Sequence, residues 1–121
     1  MAKRLHNYLL THRKRSSLTQ REVAFLLGCR HKTKVSDYEQ RTRRPVLETA
    51  LAYEAVFGVP VRDLFAGMFD EVEIVTRQRA RVLARKLSTA SRTPLTPLTA
   101  RKLDLLSRIT SGSGSEPAHE L

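Results

Sequence analysis

The side chains best suited to chemistry in this chain lie between residues 18 and 45, and they are hydrogen-bond donors, acceptors and cations. Gln20 offers an amide, Lys32 and Lys34 ammonium groups, Thr33 and Ser36 hydroxyls, and Asp37 a carboxylate. Arg30 precedes this group, and Arg41, Arg43 and Arg44 follow it. Such a set can neutralise phosphates and exchange hydrogen bonds with the polar edges of bases. Spacing decides whether the groups can act together. A helix over 32–40, with Val35 and Tyr38 inward, leaves Lys32, Thr33, Lys34, Ser36 and Asp37 outward. A rod that short, polar outside and basic at its start, suits insertion into a DNA major groove.

Other chemistries find no support. His6, His12, His31 and Cys29 lack metal-ligand spacing, and no carboxylates complete a site around them. There is no glycine-rich phosphate loop and no Ser/His/Asp or Ser/Lys arrangement. The expectation is therefore no enzyme, no catalytic residue, no metal and no cofactor. A lone cysteine forms no internal disulfide and points to a reducing cytoplasm. MAKRLHNYLL has a basic start without the apolar stretch of a signal peptide, and no run approaches the roughly 18 apolar residues of a membrane span. A cytoplasmic, nucleoid-associated protein is expected, with no membrane partner.

Charge supports a polyanion partner. The formal net charge is +10, and it is unevenly placed. Residues 1–45 and 72–109 are strongly basic, whereas 46–71 hold Glu48, Glu54, Asp63, Asp70 and Glu71 against Arg62 alone. That pattern describes a directed basic surface, not a uniform coat.

The elements that must position the outward rod can be read from periodicity and punctuation. A first helix is expected from Leu5 to Ser16, with Leu5, Tyr8 and Leu9 inward. Thr19 stands where a side chain caps a helix start, Val23, Leu26 and Leu27 share one face, and Gly28 ends the run. After Glu39, Pro45 suits the first turn of a fourth helix carrying Leu47, Ala50, Leu51, Ala55 and Phe57 to a stop at Gly58. Val61, Leu64 and Phe65 mark a short fifth helix. Residues 69–88 read as a further helix with Phe69, Val72, Val75, Val82 and Leu83 on one side. A Ser/Thr/Pro linker (88–97) leads to a helix capped by Thr96, with Leu98, Leu105, Leu106 and Ile109 in register, and then to a flexible tail (111–121). The fold class is all-α: a five-helix bundle (1–67) followed by a basic helical extension (68–110).

Laid out in this way, residues 5–66 resemble the Cro/repressor-type helix-turn-helix domain, the lambda-repressor-like fold of the Xre family of bacterial transcription regulators. The likeness rests on an ordered set: R-x4-LTQ-x-EVA-x-LLG, VS-x-YE, RRP-x-LETAL and FGVPV-x-DLF. It implies that Gln20 opens the second helix and touches phosphate and a neighbouring base, and that Thr19 offers its hydroxyl or nearby N–H groups to phosphate. It also implies that Lys32, Thr33, Ser36 and Asp37 read bases while Lys34, Arg41, Arg43 and Arg44 hold phosphates. Arg30 lies in the turn beside them. Arg13 and Glu39 match a pair that in this fold joins the first helix to the end of the third.

Three departures stand out. Gly28 to Val35 spans one position more than the family's usual turn, Val46 and Pro60 replace capping serines, and Glu54 replaces a small alanine. The resemblance implies a sequence-specific, double-stranded-DNA-binding regulator, a repressor by expectation, working as a homodimer. An antitoxin-like module that binds a protein through 68–110 and autoregulates through the same helices is the alternative. For Asp37, orienting Lys34 or Arg41 is the competing role. The basic stretch 76–86 admits a solvated face, added phosphate contact, or a pairing seam that Arg79 interrupts.

Overall fold

The computed structural model describes residues 4–90 and 96–111. Among them every regular element is helical: α1 (Leu9–Arg15), α2 (Gln20–Leu27), α3 (Lys32–Glu39), α4 (Leu47–Phe57), α5 (Val61–Leu64), α6 (Ala66–Ala90) and α7 (Pro97–Ser111). The first five form the expected bundle, and α6 and α7 the helical extension. One compact unit ends at Asp70 and a second begins at Glu71. The supposed linker at 88–97 starts late, because α6 runs on through Ala90; residues 91–95, and the tail beyond Ser111, lie outside the described residues.

Helix boundaries follow local hydrogen bonding. Thr19 and Glu22 close a reciprocal box: Glu22 N–H donates to Thr19 Oγ1 at 3.0 Å, and Thr19 N–H to Glu22 Oε1 at 2.9 Å. Gly28 (φ +79°) and Gly58 (φ +68°) end α2 and α4 in the left-handed conformation that a side chain would resist. Thr96 Oγ1 accepts from Thr99 N–H at 3.1 Å and caps α7. Two of the departures from the family pattern compensate one another. Pro60 cannot supply a capping hydroxyl to α5, and the Glu54 carboxylate accepts the Val61 N–H at 3.0 Å instead.

The first and fourth helices start later than expected, and several apolar side chains turn outward. Helix α1 begins at Leu9, not Leu5, because residues 4–8 are spoken for elsewhere. Asn7 Oδ1 takes the Leu9 N–H, its Nδ2 donates to the Tyr38 carbonyl, and Tyr8 N–H donates to the Leu64 carbonyl. Leu5 is consequently exposed. Pro45 lies before α4, whose N-cap is Val46, and no side chain caps that helix. The inward face of α4 is Ala50 and Tyr53, while Leu47, Leu51 and Ala55 face out. Leu26 is exposed as well, so α2 buries Val23 and Ala24. In the extension the buried residues are Ala80 and Leu106; Val72, Val75, Val82, Leu83, Leu98 and Leu105 are exposed.

The core of the first unit gathers Leu9, Val23, Val35, Tyr38, Tyr53 and Leu64 from α1 to α5, with Phe65. Tyr53 packs edge-on to Tyr38 and to Phe65 and stacks on Phe57, so one ring joins three elements. Its hydroxyl is buried without a hydrogen-bond partner among the described residues, and burial pushes its pKa up.

The N-terminal segment is held against the start of α6. Gly67 N–H donates to the Leu5 carbonyl at 2.8 Å, and a Cβ at Gly67 would stand 2.5 Å from that oxygen and 2.7 Å from His6 Cα. Gly67→Ala should therefore destabilise the protein by about 1–3 kcal/mol in urea unfolding; a change below ~0.5 kcal/mol would show that this backbone approach is not needed. Arg4 clamps the same segment through a two-pronged pair with Asp70, its Nε donating at 2.9 Å. The hydrogen bond from Arg4 holds the Asp70 carboxyl below the usual carboxylate range. Its contribution is thus present above the unfolded carboxylate value of about 3.9 and fades as pH falls through the lower folded value. The wild-type thermal midpoint should fall more steeply below about pH 4 than that of Asp70→Asn. Parallel curves would discount the pair.

Candidate nucleic-acid interface

Helix α3 starts at Lys32 after an extended N-cap, His31, and turns Val35 and Tyr38 inward. Lys32, Thr33 and Lys34 are exposed, and Ser36 and Asp37 are half-buried along the outward side. Ser36 Oγ lies 3.2 Å from Gln40 Nε2 and accepts from it, which steadies the last turn. Beside α3, the first turn of α2 brings up Thr19 and Gln20. Thr19, Gln20, Arg21 and Lys32 line one open groove, with Arg13 and Leu18, of about 670 Å³. Arg21, Arg30, His31, Lys32 and Thr33 border a second depression of about 480 Å³ with Phe25. Arg21 and Lys32 border both hollows, so these two cations stand between them.

Arg21 was absent from the sequence-derived set. Its signal was its place beside Gln20 in the first turn of α2, where an exposed cation faces whatever approaches that helix start.

Behind this face lies a polar node. Glu39, only 5% exposed, accepts from Arg13 Nε at 2.6 Å and from Arg13 Nη2 at 3.2 Å. Gln20 Nε2 donates to the same carboxylate at 3.0 Å. Arg13 also donates from Nη1 to the Leu18 carbonyl at 3.1 Å, and its hydrogen bond to Glu39 raises the guanidinium pKa. The resemblance had coupled Arg13 to Glu39; that Gln20 joins them was not legible. Because one amide proton is committed to Glu39, Gln20 presents its amide in a single orientation.

The loop after α3 carries the remaining cations. Arg41 adopts φ +69°, and Thr42 donates through N–H and Oγ1 to the Asp37 carbonyl, which folds the loop back on α3. Asp37 pairs with Arg43 Nε at 3.6 Å, not with Lys34 or Arg41. Arg41, Arg43 and Arg44 are exposed. Among the described residues no cluster of His, Cys, Asp or Glu could hold a metal ion, and no helix is long and apolar enough to cross a membrane.

Residues 9–64 match the family model described as Helix-turn-helix. This domain belongs to the Xre, lambda-repressor-like helix-turn-helix family. No match emerged among curated proteins or among solved structures. The family is one of DNA-binding regulators, and α2, α3 and the turn between them form its helix-turn-helix here.

Removing the Glu39 carboxylate strands a largely buried guanidinium and frees Gln20. Glu39→Ala should cost about 3–5 kcal/mol in urea unfolding, with Glu39→Gln losing appreciably less because it still accepts from Arg13. Equal, small losses in both variants would reduce the node to an incidental contact.

Proposed function

We propose that the protein is a sequence-specific DNA-binding repressor that places α3 in the major groove of double-stranded DNA and acts as a homodimer. The observation that carries this reading is the outward side of α3 opening, through Lys32, onto the same basic groove as the start of α2. Lys32 suits guanine O6 or N7, and Thr33 and Ser36 suit either base edge or phosphate. Thr19 accepts within its own helix cap but keeps a hydroxyl proton to donate, and the N-terminal turn of α2 favours phosphate. Gln20, held by Glu39, meets the backbone and a neighbouring base. Arg30, Lys34, Arg41 and Arg44 neutralise phosphates, and Asp37 serves first by holding Arg43 for the same task.

A domain this small buries little surface on DNA, which is why two copies on an inverted repeat, half-sites about 34 Å apart, fit the proposal. Residues 1–67 supply the DNA contacts, in the cytoplasm and at the nucleoid.

Selection from a random duplex library followed by titration tests the reading. Lys32→Ala with Thr33→Ala should flatten sequence preference by roughly 10- to 100-fold while helical content stays unchanged. Arg41, Arg43 and Arg44 changed together to alanine should weaken all duplexes alike and reduce the slope of log affinity against log salt by about 2–3. Preference that survives the first variant would move the reading face off α3.

A further inference from the structure

On α6, Val72, Val75, Arg79, Val82 and Lys86 recur at intervals of three and four, the spacing that forms one row along a helix. The row is open: Val72, Val75, Val82 and the adjoining Leu83 are between 40% and 56% exposed. The opposite side of the same helix holds buried Ala80, half-buried Ala84 and Leu87, and the ion pair of Arg77 with Glu73 at 3.0 Å. Helix α6 therefore has one side satisfied within the chain and a second, apolar side facing solvent over about 21 Å. Gln78, Arg79, Val82, Leu83 and Lys86 line a shallow hollow of about 290 Å³ on that side.

Charge decides the occupant. Arg79 and Lys86 stand at row positions where a self-pairing helix would carry apolar side chains. Arg79 is the midpoint of the row, so pairing with a second copy in register, parallel or antiparallel, would set the two Arg79 guanidiniums face to face. Glu73 is committed to Arg77, and Glu71 lies eight residues from Arg79, about 12 Å along the axis. Arg81 and Arg85 add further positive charge nearby. We infer that the Val72–Lys86 side of α6 is the docking surface for an acidic amphipathic helix of another protein, its apolar ridge on the valines and Leu83 and its carboxylates on Arg79 and Lys86. This is a second binding function, separate from the α2–α3 face.

Two synthetic helical peptides about 20 residues long, alike in their leucine ridge but flanked by glutamate in one and lysine in the other, serve as probes for the full chain by fluorescence anisotropy. The glutamate peptide should bind at least about tenfold more tightly than the lysine peptide, and salt should weaken it. Val75→Ser with Val82→Ser should abolish binding of the glutamate peptide; Arg79→Glu with Lys86→Glu should reverse the preference. Helical content and duplex affinity should stay at wild-type values in both variants. Equal binding of the two peptides, or none, overturns the proposal. So does a wild-type dimer that dissociates in the serine variant, which assigns the surface to a second copy. A fall in duplex affinity in the charge-reversed variant assigns it to nucleic acid.

Discussion

One carboxylate organises the helix-turn-helix of this protein. Glu39 closes α3, and it gathers the guanidinium of Arg13 from α1 and the amide of Gln20 from α2. A carboxylate this buried is tolerated only where its lone pairs are filled, and here three N–H groups fill them. The bonds are directional, so they set more than stability: they fix the height and rotation of α3 against α2. The donation from Arg13 to the Leu18 carbonyl extends the constraint to the turn ahead of α2. Apolar packing of Val23, Val35 and Tyr38 brings the helices together, and the polar node selects one arrangement of them.

The same node explains which parts of the site the sequence could reveal. Periodicity placed Val35 and Tyr38 inward, and that alone turns Lys32 and Thr33 outward. Side-chain partnerships across elements were a different matter. Nothing in the spacing of Gln20 and Glu39 announces a hydrogen bond between them, and Asp37 had several cations within reach before the Arg41 backbone turned Arg43 toward it. The one-residue excess in the turn could not be assigned from pattern; in the fold, α3 begins at Lys32 with His31 as its N-cap.

Helix existence was legible and helix rotation less so. Thr19, Gly28, Gly58 and Thr96 mark boundaries through backbone chemistry that depends on few distant contacts. Helix α4 is apolar on several sides, so its hydrophobic residues do not by themselves choose a face. The bundle chose Ala50 and Tyr53, leaving Leu47 68% exposed. The start of α1 failed for a related reason: Asn7 and Tyr8 are tied to Tyr38 and Leu64, partners tens of residues away. Glu54 and Pro60 were odd singly and intelligible together, once the carboxylate of one was seen to replace the hydroxyl that the other lacks.

The tyrosine at the centre of the core carries one more consequence. Its ring meets Tyr38, Phe57 and Phe65, yet its oxygen sits in the interior with nothing to bind among the described residues. Dehydrating an alcohol without offering it an acceptor works against folding by about 1–3 kcal/mol. Tyr53→Phe would keep the packing of the ring and remove the one atom that carries this cost. Its removal leaves room for a firmer scaffold with the outer, charge-bearing surface untouched.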